Sequence, residues 1–125
     1  MYILHSEIKK DFLDNTYGEK SLNQFGFIHC SELDTYYLVA PNFKDDDAER
    51  VLLVINTDKL EAIVKYEDGG GIDFPHVYGL INHEAIEEVL EHLWSKDKIW
   101  IPNEELKKYA VSSNKNTFKR DIEKK

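Results

Sequence analysis

The sequence predicts a mixed α+β domain. Strand-like segments precede, separate and follow short helical ones. One apolar run, Val51 to Asn56, reads as a strand covered on both faces and therefore central in a sheet. No regular alternation of strand with long helix appears, which argues against a doubly wound parallel sheet. A chain of 125 residues suits a single domain.

The elements follow in order. "MYILHS", Met1 to Ser6, is rich in aromatic and branched residues and reads as the first strand. Ser6 is the cap expected for a helix over "EIKKDFLD", with Ile8, Phe12 and Leu13 on one face. Asn15 to Gln24, carrying Tyr17-Gly18, is predicted as a polar loop. Gly26 to Cys30 is strand-like. "SELDTYYLVAPNF" predicts a second helix capped by Ser31, with Leu33, Tyr36, Tyr37 and Ala40 inward. Pro41 ends it, because proline lacks an amide donor and restricts the residue before it.

Lys44 to Arg50 is a charged loop before the Val51 strand. "TDKL" is a turn, and "AIVKYE", Ala62 to Glu67, is a strand with one polar face. "DGGGID", Asp68 to Asp73, is a permissive glycine loop, and "FPHVYG" after it is extended. A helical turn is expected at Asn82 to Glu87. "VLEHLW" and "IWIP" then form a hairpin, and a short helix and polar tail run from Asn103 onward.

Charge narrows the partners. The net charge is −8, which argues against nonspecific nucleic-acid binding, since phosphate contacts need Lys and Arg. Asn103 to Lys125 holds seven Lys/Arg and four Asp/Glu, so this end carries +3 and the rest −11. A solvated basic end is expected. Cys30 is the only cysteine, so no internal disulfide forms. Neither a signal-peptide pattern nor an apolar run of about 20 residues is present, which points to the cytoplasm.

The chemistry centres on "GFIHCS", Gly26 to Ser31. On a strand, side chains alternate, so Phe27, His29 and Ser31 share one face and Ile28 and Cys30 the other. Cys30 then packs as a small hydrophobe, since a reactive thiolate needs exposure and a positive neighbourhood. His29 is either bonded to backbone or set in the wall of a polar pocket; its imidazole can donate, accept or carry charge near neutral pH. His76 sits between Pro75 and Gly79, punctuation that suits a site or an ordinary turn. Glu67 ends a strand before the glycine loop. It is either an exposed strand-end acid or a carboxylate aimed into a cleft. Phosphate-loop, dinucleotide, zincin and nucleophile-elbow motifs are absent, and the spacing of His83 and His92 gives no metal-ligand set.

Five blocks, "YILHS", "GFIHCS", "VLLVIN", "VKYE" and "FPHVYG", occur in an order that resembles the small bacterial proteins grouped as domain of unknown function 952. The resemblance covers about Met1 to Leu93 and leaves the tail outside it. We divide the chain into a family domain at residues 1–102 and a basic helix and tail at 103–125. The family usually has a glutamine where Thr35 stands and an asparagine where Pro41 stands.

The resemblance implies an ADP-ribosyltransferase-like fold, a split, twisted mixed β core with short flanking helices and a cleft between two sheets. It also implies NAD as a substrate, with no cofactor required. On that basis His5, Ser31 and Tyr78 are the expected ligand-binding residues, and Glu67, His29 and His76 the expected catalytic ones. The resulting expectation is ribosyl transfer or hydrolysis on NAD or a related nucleotide, where a fixed carboxylate favours the positive charge developing at the ribose. Two alternatives stand beside it: a non-catalytic domain binding a small anionic or nucleotide-like ligand, and purely structural polar blocks. The sequence assigns no oligomeric state.

Overall fold

The computed structural model describes residues 1–15, 17–68 and 70–109. In chain order, β1 spans Tyr2–Ile8, α1 Lys9–Leu13, α2 Glu19–Phe25, β2 Ile28–His29, β3 Ser31–Glu32 and α3 Tyr36–Val39, which runs into a 3-10 turn at Ala40–Phe43. Then come β4 (Arg50–Asn56), β5 (Ile63–Asp68), β6 (Asp73–Tyr78), a 3-10 turn at His83–Ala85, β7 (Ile86–Glu91), β8 (Leu93–Trp94) and β9 (Trp100–Ile101).

β4 lies inside a four-stranded sheet of order β3-β1-β4-β7, as its continuous apolar run requires. A second sheet has order β2-β6-β5, and β8 and β9 make a small ladder. Every strand pair among the described residues is antiparallel, where a mixed core was expected. The first sheet separates two apolar clusters. Ile3, Val51, Leu53 and Ile55 face Ile28, Cys30 and Val77 of the second sheet's side. Leu4, Leu52, Val54 and Leu90 pack instead with Tyr36, Ala40, Leu106 and Tyr109. This alternation along β1 and β4 decides where polar side chains of the same strands emerge.

Several expected elements differ. Ser6 does not cap a helix. β1 continues to Ile8 because it pairs with β4 from Tyr2 to Ile8, and α1 starts without a side-chain cap. Leu13 is exposed. The predicted loop at Asn15 to Gln24 contains α2, a helix set between Gly18 and Gly26, both at left-handed φ (+81° and +83°). The second helix is shorter than predicted, because Ser31 and Glu32 pair with β1 as β3 instead of entering it. Tyr36 and Ala40 do pack inward, but Tyr37 is exposed. Pro41 does end the α-helix, the turn continuing as 3-10.

"VLEHLW" was expected to pair with "IWIP". Its first half, Val89 to Glu91, ends β7, which pairs with β4, and only Leu93 and Trp94 meet Trp100 and Ile101. The 3-10 turn at His83–Ala85 falls inside the predicted helical turn. Residues 106–109 are helical, and Leu106 and Tyr109 enter the second cluster. The solvated tail expected beyond them lies outside the described residues, as does Gly69 of the glycine loop.

Candidate functional site

β2 and β6 are in register so that Ile28 faces Val77 and His29 faces His76. Directly opposed residues of an antiparallel pair share a face of the sheet. Ile28 and Val77 are both fully buried, so His29 and His76 emerge together on the other face. Their ring centroids are 5.5 Å apart, edge to face. Phe27 stacks on His76 at 4.1 Å and 18°, and lies 4.8 Å from His29. Phe25 meets His29 edge-on at 4.8 Å. His29 is exposed as a residue, yet its ring is partly enclosed by these neighbours. That partial burial, with His76 and His5 nearby, holds its pKa below the ordinary histidine value.

His76 is fixed from outside by β5. Glu67 Oε1 accepts the His76 Nδ1–H at 2.7 Å and the Tyr78 hydroxyl at 2.5 Å. The hydroxyl of Tyr78 and then His76 hold the Glu67 carboxyl below its usual range, and Glu67 in turn raises the Tyr78 phenol. An ionised carboxylate only accepts, so His76 carries its proton on Nδ1 and keeps Nε2 for other partners.

His5 comes from β1 in the first sheet. Its Nδ1–H donates to the His29 carbonyl at 2.8 Å, and Nε2 lies 3.3 Å from Glu7 Oε2. Burial pulls the His5 pKa down. The Cys30 and Glu7 side chains more than offset it, and the pKa is raised to about 10. Glu7 is opposed by burial in the same way, but is lowered by His5 and by the amides of Gly18 and Ile8, which both donate to it. Gly18 is fixed in type here: its φ is +81°, and a Cβ would lie 2.3 Å from Ile28 Cδ1.

His5, His29, Ser31 and His76 line one cleft of about 750 Å³. Glu67 and Tyr78 are not in its lining; they reach it through His76. Ser31 corrects the simple alternation. The chain steps from one sheet to the other at Cys30, whose amide bonds the Pro75 carbonyl, so Ser31 pairs with Leu4 of β1 instead of continuing β2. Ser31 is 1% exposed, and its hydroxyl has no hydrogen-bond partner among the described residues. Cys30 is buried, as alternation predicts.

Sequence reasoning missed Glu7, Phe27 as a stacking partner, and Arg50. Arg50 had one usable signal: it is one of two arginines in the chain and stands at the mouth of the apolar strand. Thr35 bonds the Glu32 carbonyl and is absent from the cleft lining. Among the described residues no group of three His, Cys, Asp or Glu side chains could hold a metal ion. Nor is any described helix long and apolar enough to cross a membrane.

The chain belongs to the family described as protein of unknown function (DUF952), whose model matches residues 5–89. A similar solved fold is the X-ray crystal structure of protein CC0527 from Caulobacter crescentus. It has a TM-score of 0.71 and 20% identity, covering 89% of this chain and 99% of that one. A double mutant of the same protein gives a TM-score of 0.71 at 19% identity, again covering 89% and 99%. At this identity the likeness shows the fold alone. No curated protein matches the chain.

Proposed function

We propose that the cleft binds a nucleotide-like ligand, with NAD as the reference case, and that ribosyl transfer or hydrolysis proceeds there with His76 as the acid–base group. The observation that carries this is the His29–His76 pair, opposed across β2 and β6, with Phe27 stacked on His76 and Glu67 fixing its tautomer. A planar ring fits beside Phe25, Phe27 and Phe74, all in the lining. The volume falls in the range of roughly 300–1,000 Å³ common for small-molecule sites. A core split into two sheets with a cleft lined from both supports an ADP-ribosyltransferase-like reading of the fold.

In this reaction the ribose C1′–nitrogen bond breaks and nicotinamide leaves with the electron pair. A water or an acceptor hydroxyl then forms the new bond to C1′ and passes its proton to His76 Nε2. His29 binds, and His5, its two ring nitrogens taken by the His29 carbonyl and Glu7, holds the backbone of β2 beside it. Ser31 adds a hydroxyl, and Tyr78 acts by holding Glu67. Glu67 is thus a positioning residue working through His76.

One observation favours a second reading, binding without turnover. Among the described residues Glu7 is the only carboxylate in the lining, and it is already bonded to His5, Ile8 and Gly18. The test is to incubate the protein with NAD and quantify free nicotinamide, while measuring its melting temperature with and without NAD. Release that is lost in His76→Asn supports turnover. A saturable rise in melting temperature without release supports binding alone. The absence of both effects overturns both readings.

A further inference from the structure

The cleft has two arms, divided by the edge of β1. β3 pairs with β1 only at Ile3 and Leu4, whereas β4 covers β1 from Tyr2 to Ile8. The side of β1 beyond Leu4 is therefore uncovered by any strand among the described residues, and Leu4 to Ile8 all line the cleft. Side chains alternate along β1, so His5 and Glu7 serve one arm and Ser6 the other. Register extends the second arm. Ser31 is opposite Leu4, and Arg50 is opposite Ile8, so Ser31, Ser6 and Arg50 share the face away from His5.

Arg50 is held ready on this face. Its guanidinium lies 4.0 Å over the Phe43 ring. Nε and Nη2 donate to Asp46 Oδ2 at 3.1 and 2.9 Å, and Nη1 donates to Ser6 Oγ at 3.1 Å. Of the five N–H groups of a guanidinium, these contacts use three. Among the described residues one N–H on each terminal nitrogen is left without an acceptor, in a lining that also holds the buried Ser31 hydroxyl, which has no partner among them either. A buried hydroxyl without a partner costs free energy, and a ligand acceptor would remove that cost.

We propose that Arg50, Ser6 and Ser31 form an oxyanion subsite for the phosphoryl groups of the ligand whose ring occupies the histidine arm. This rests on the nucleotide reading above and adds the ligand class: a phosphorylated nucleoside straddling the β1 edge, in preference to a free nucleoside or base. The chain's −8 charge opposes anions at long range, but a fixed guanidinium at contact outweighs it locally.

The test is calorimetric titration of the full chain with pyrophosphate, ADP-ribose and adenosine, each against wild type, Ser31→Ala and Arg50→Gln. ADP-ribose should bind at least tenfold tighter than adenosine. Ser31→Ala should weaken pyrophosphate and ADP-ribose about tenfold while leaving the unliganded melting temperature unchanged or higher, since no native bond is lost. Arg50→Gln should weaken both more strongly; because it also loses Asp46 and Phe43 contacts, Ser31→Ala is the variant that decides. Pyrophosphate binding that depends on Ser31, with ADP-ribose bound no tighter than pyrophosphate, upholds the subsite and sinks the nucleotide reading. ADP-ribose binding unchanged within twofold in Ser31→Ala overturns the subsite and spares that reading. Absence of binding by both phosphorylated probes overturns the subsite as well.

Discussion

Glu67 and His76 are joined by a 2.7 Å hydrogen bond from Nδ1–H to Oε1, and Tyr78 shares the same oxygen. They belong to neighbouring strands, with Glu67 opposite Phe74 and His76 opposite Lys65, so their side chains lie on one face by register. The contact is thus set by strand pairing, and its removal has readable effects.

In Glu67→Ala the phenol of Tyr78 loses the carboxylate that opposes its ionisation. Its titration, followed by ultraviolet absorbance, should move to lower pH. In the same variant the nitrogen spectrum of His76 should lose its fixed Nδ1–H form. An unchanged Tyr78 titration would mean that the two groups do not meet in solution.

The His5–Glu7 pair gives a pH-dependent stability. The folded His5 pKa is raised from 6.5 to about 10, so its contribution is complete below about 6.5 and fades as pH rises through 10. Glu7 is lowered from 4.5, so its contribution is present above that value and is lost as pH falls through its folded pKa. The pair therefore stabilises most between pH 4.5 and 6.5. Glu7→Ala leaves a buried imidazolium alone and should cost roughly 3 kcal/mol at pH 6. The melting-temperature gap to wild type should narrow steadily towards pH 10. A gap that stays constant across this range would exclude the ion pair.

His92 works in the opposite sense. Its Nε2 accepts the Tyr36 hydroxyl at 2.6 Å, and burial, then the charge of Arg50, lowers its pKa from 6.5 to about 4. The unfolded chain therefore binds more protons between these values, and stability falls as pH drops from 6.5 towards 4. His92→Phe should flatten that part of the melting-temperature profile, whatever it does to stability at pH 8.

Gly18→Ala should lower stability by about 1–3 kcal/mol, from left-handed backbone strain and the collision with Ile28. Thermal unfolding measures it. The same change made at Gly26, where φ is also positive but no atom lies within 4 Å of an added Cβ, should cost less.

The sequence was most readable where one physical rule acts alone. The uninterrupted apolar run at Val51 could only be an inner strand, and two-residue alternation put Ile28 and Cys30 inside and His29 outside. The same rule misplaced Ser31, because nothing local marks a step between sheets; the step shows only in the pairing of Cys30 with Pro75 and of Ser31 with Leu4. α2 was missed because it buries no residue fully, and its apolar signal is little more than a partly covered Leu22. Of the cleft, the histidines and Ser31 were found from their blocks. Glu7 and Arg50 were not, since their roles come from contacts with Gly18, Ser6 and Asp46 that are distant in sequence.

The passage from β2 to β3 through Cys30 alone has a mechanical consequence. A single residue offers no slack, so the imidazole at position 29 and the hydroxyl at position 31 are spaced by a tether of fixed length anchored in both layers. If the cleft binds as proposed, a ligand spanning both groups must match that gauge, and lengthening the tether by one inserted glycine should broaden what is bound.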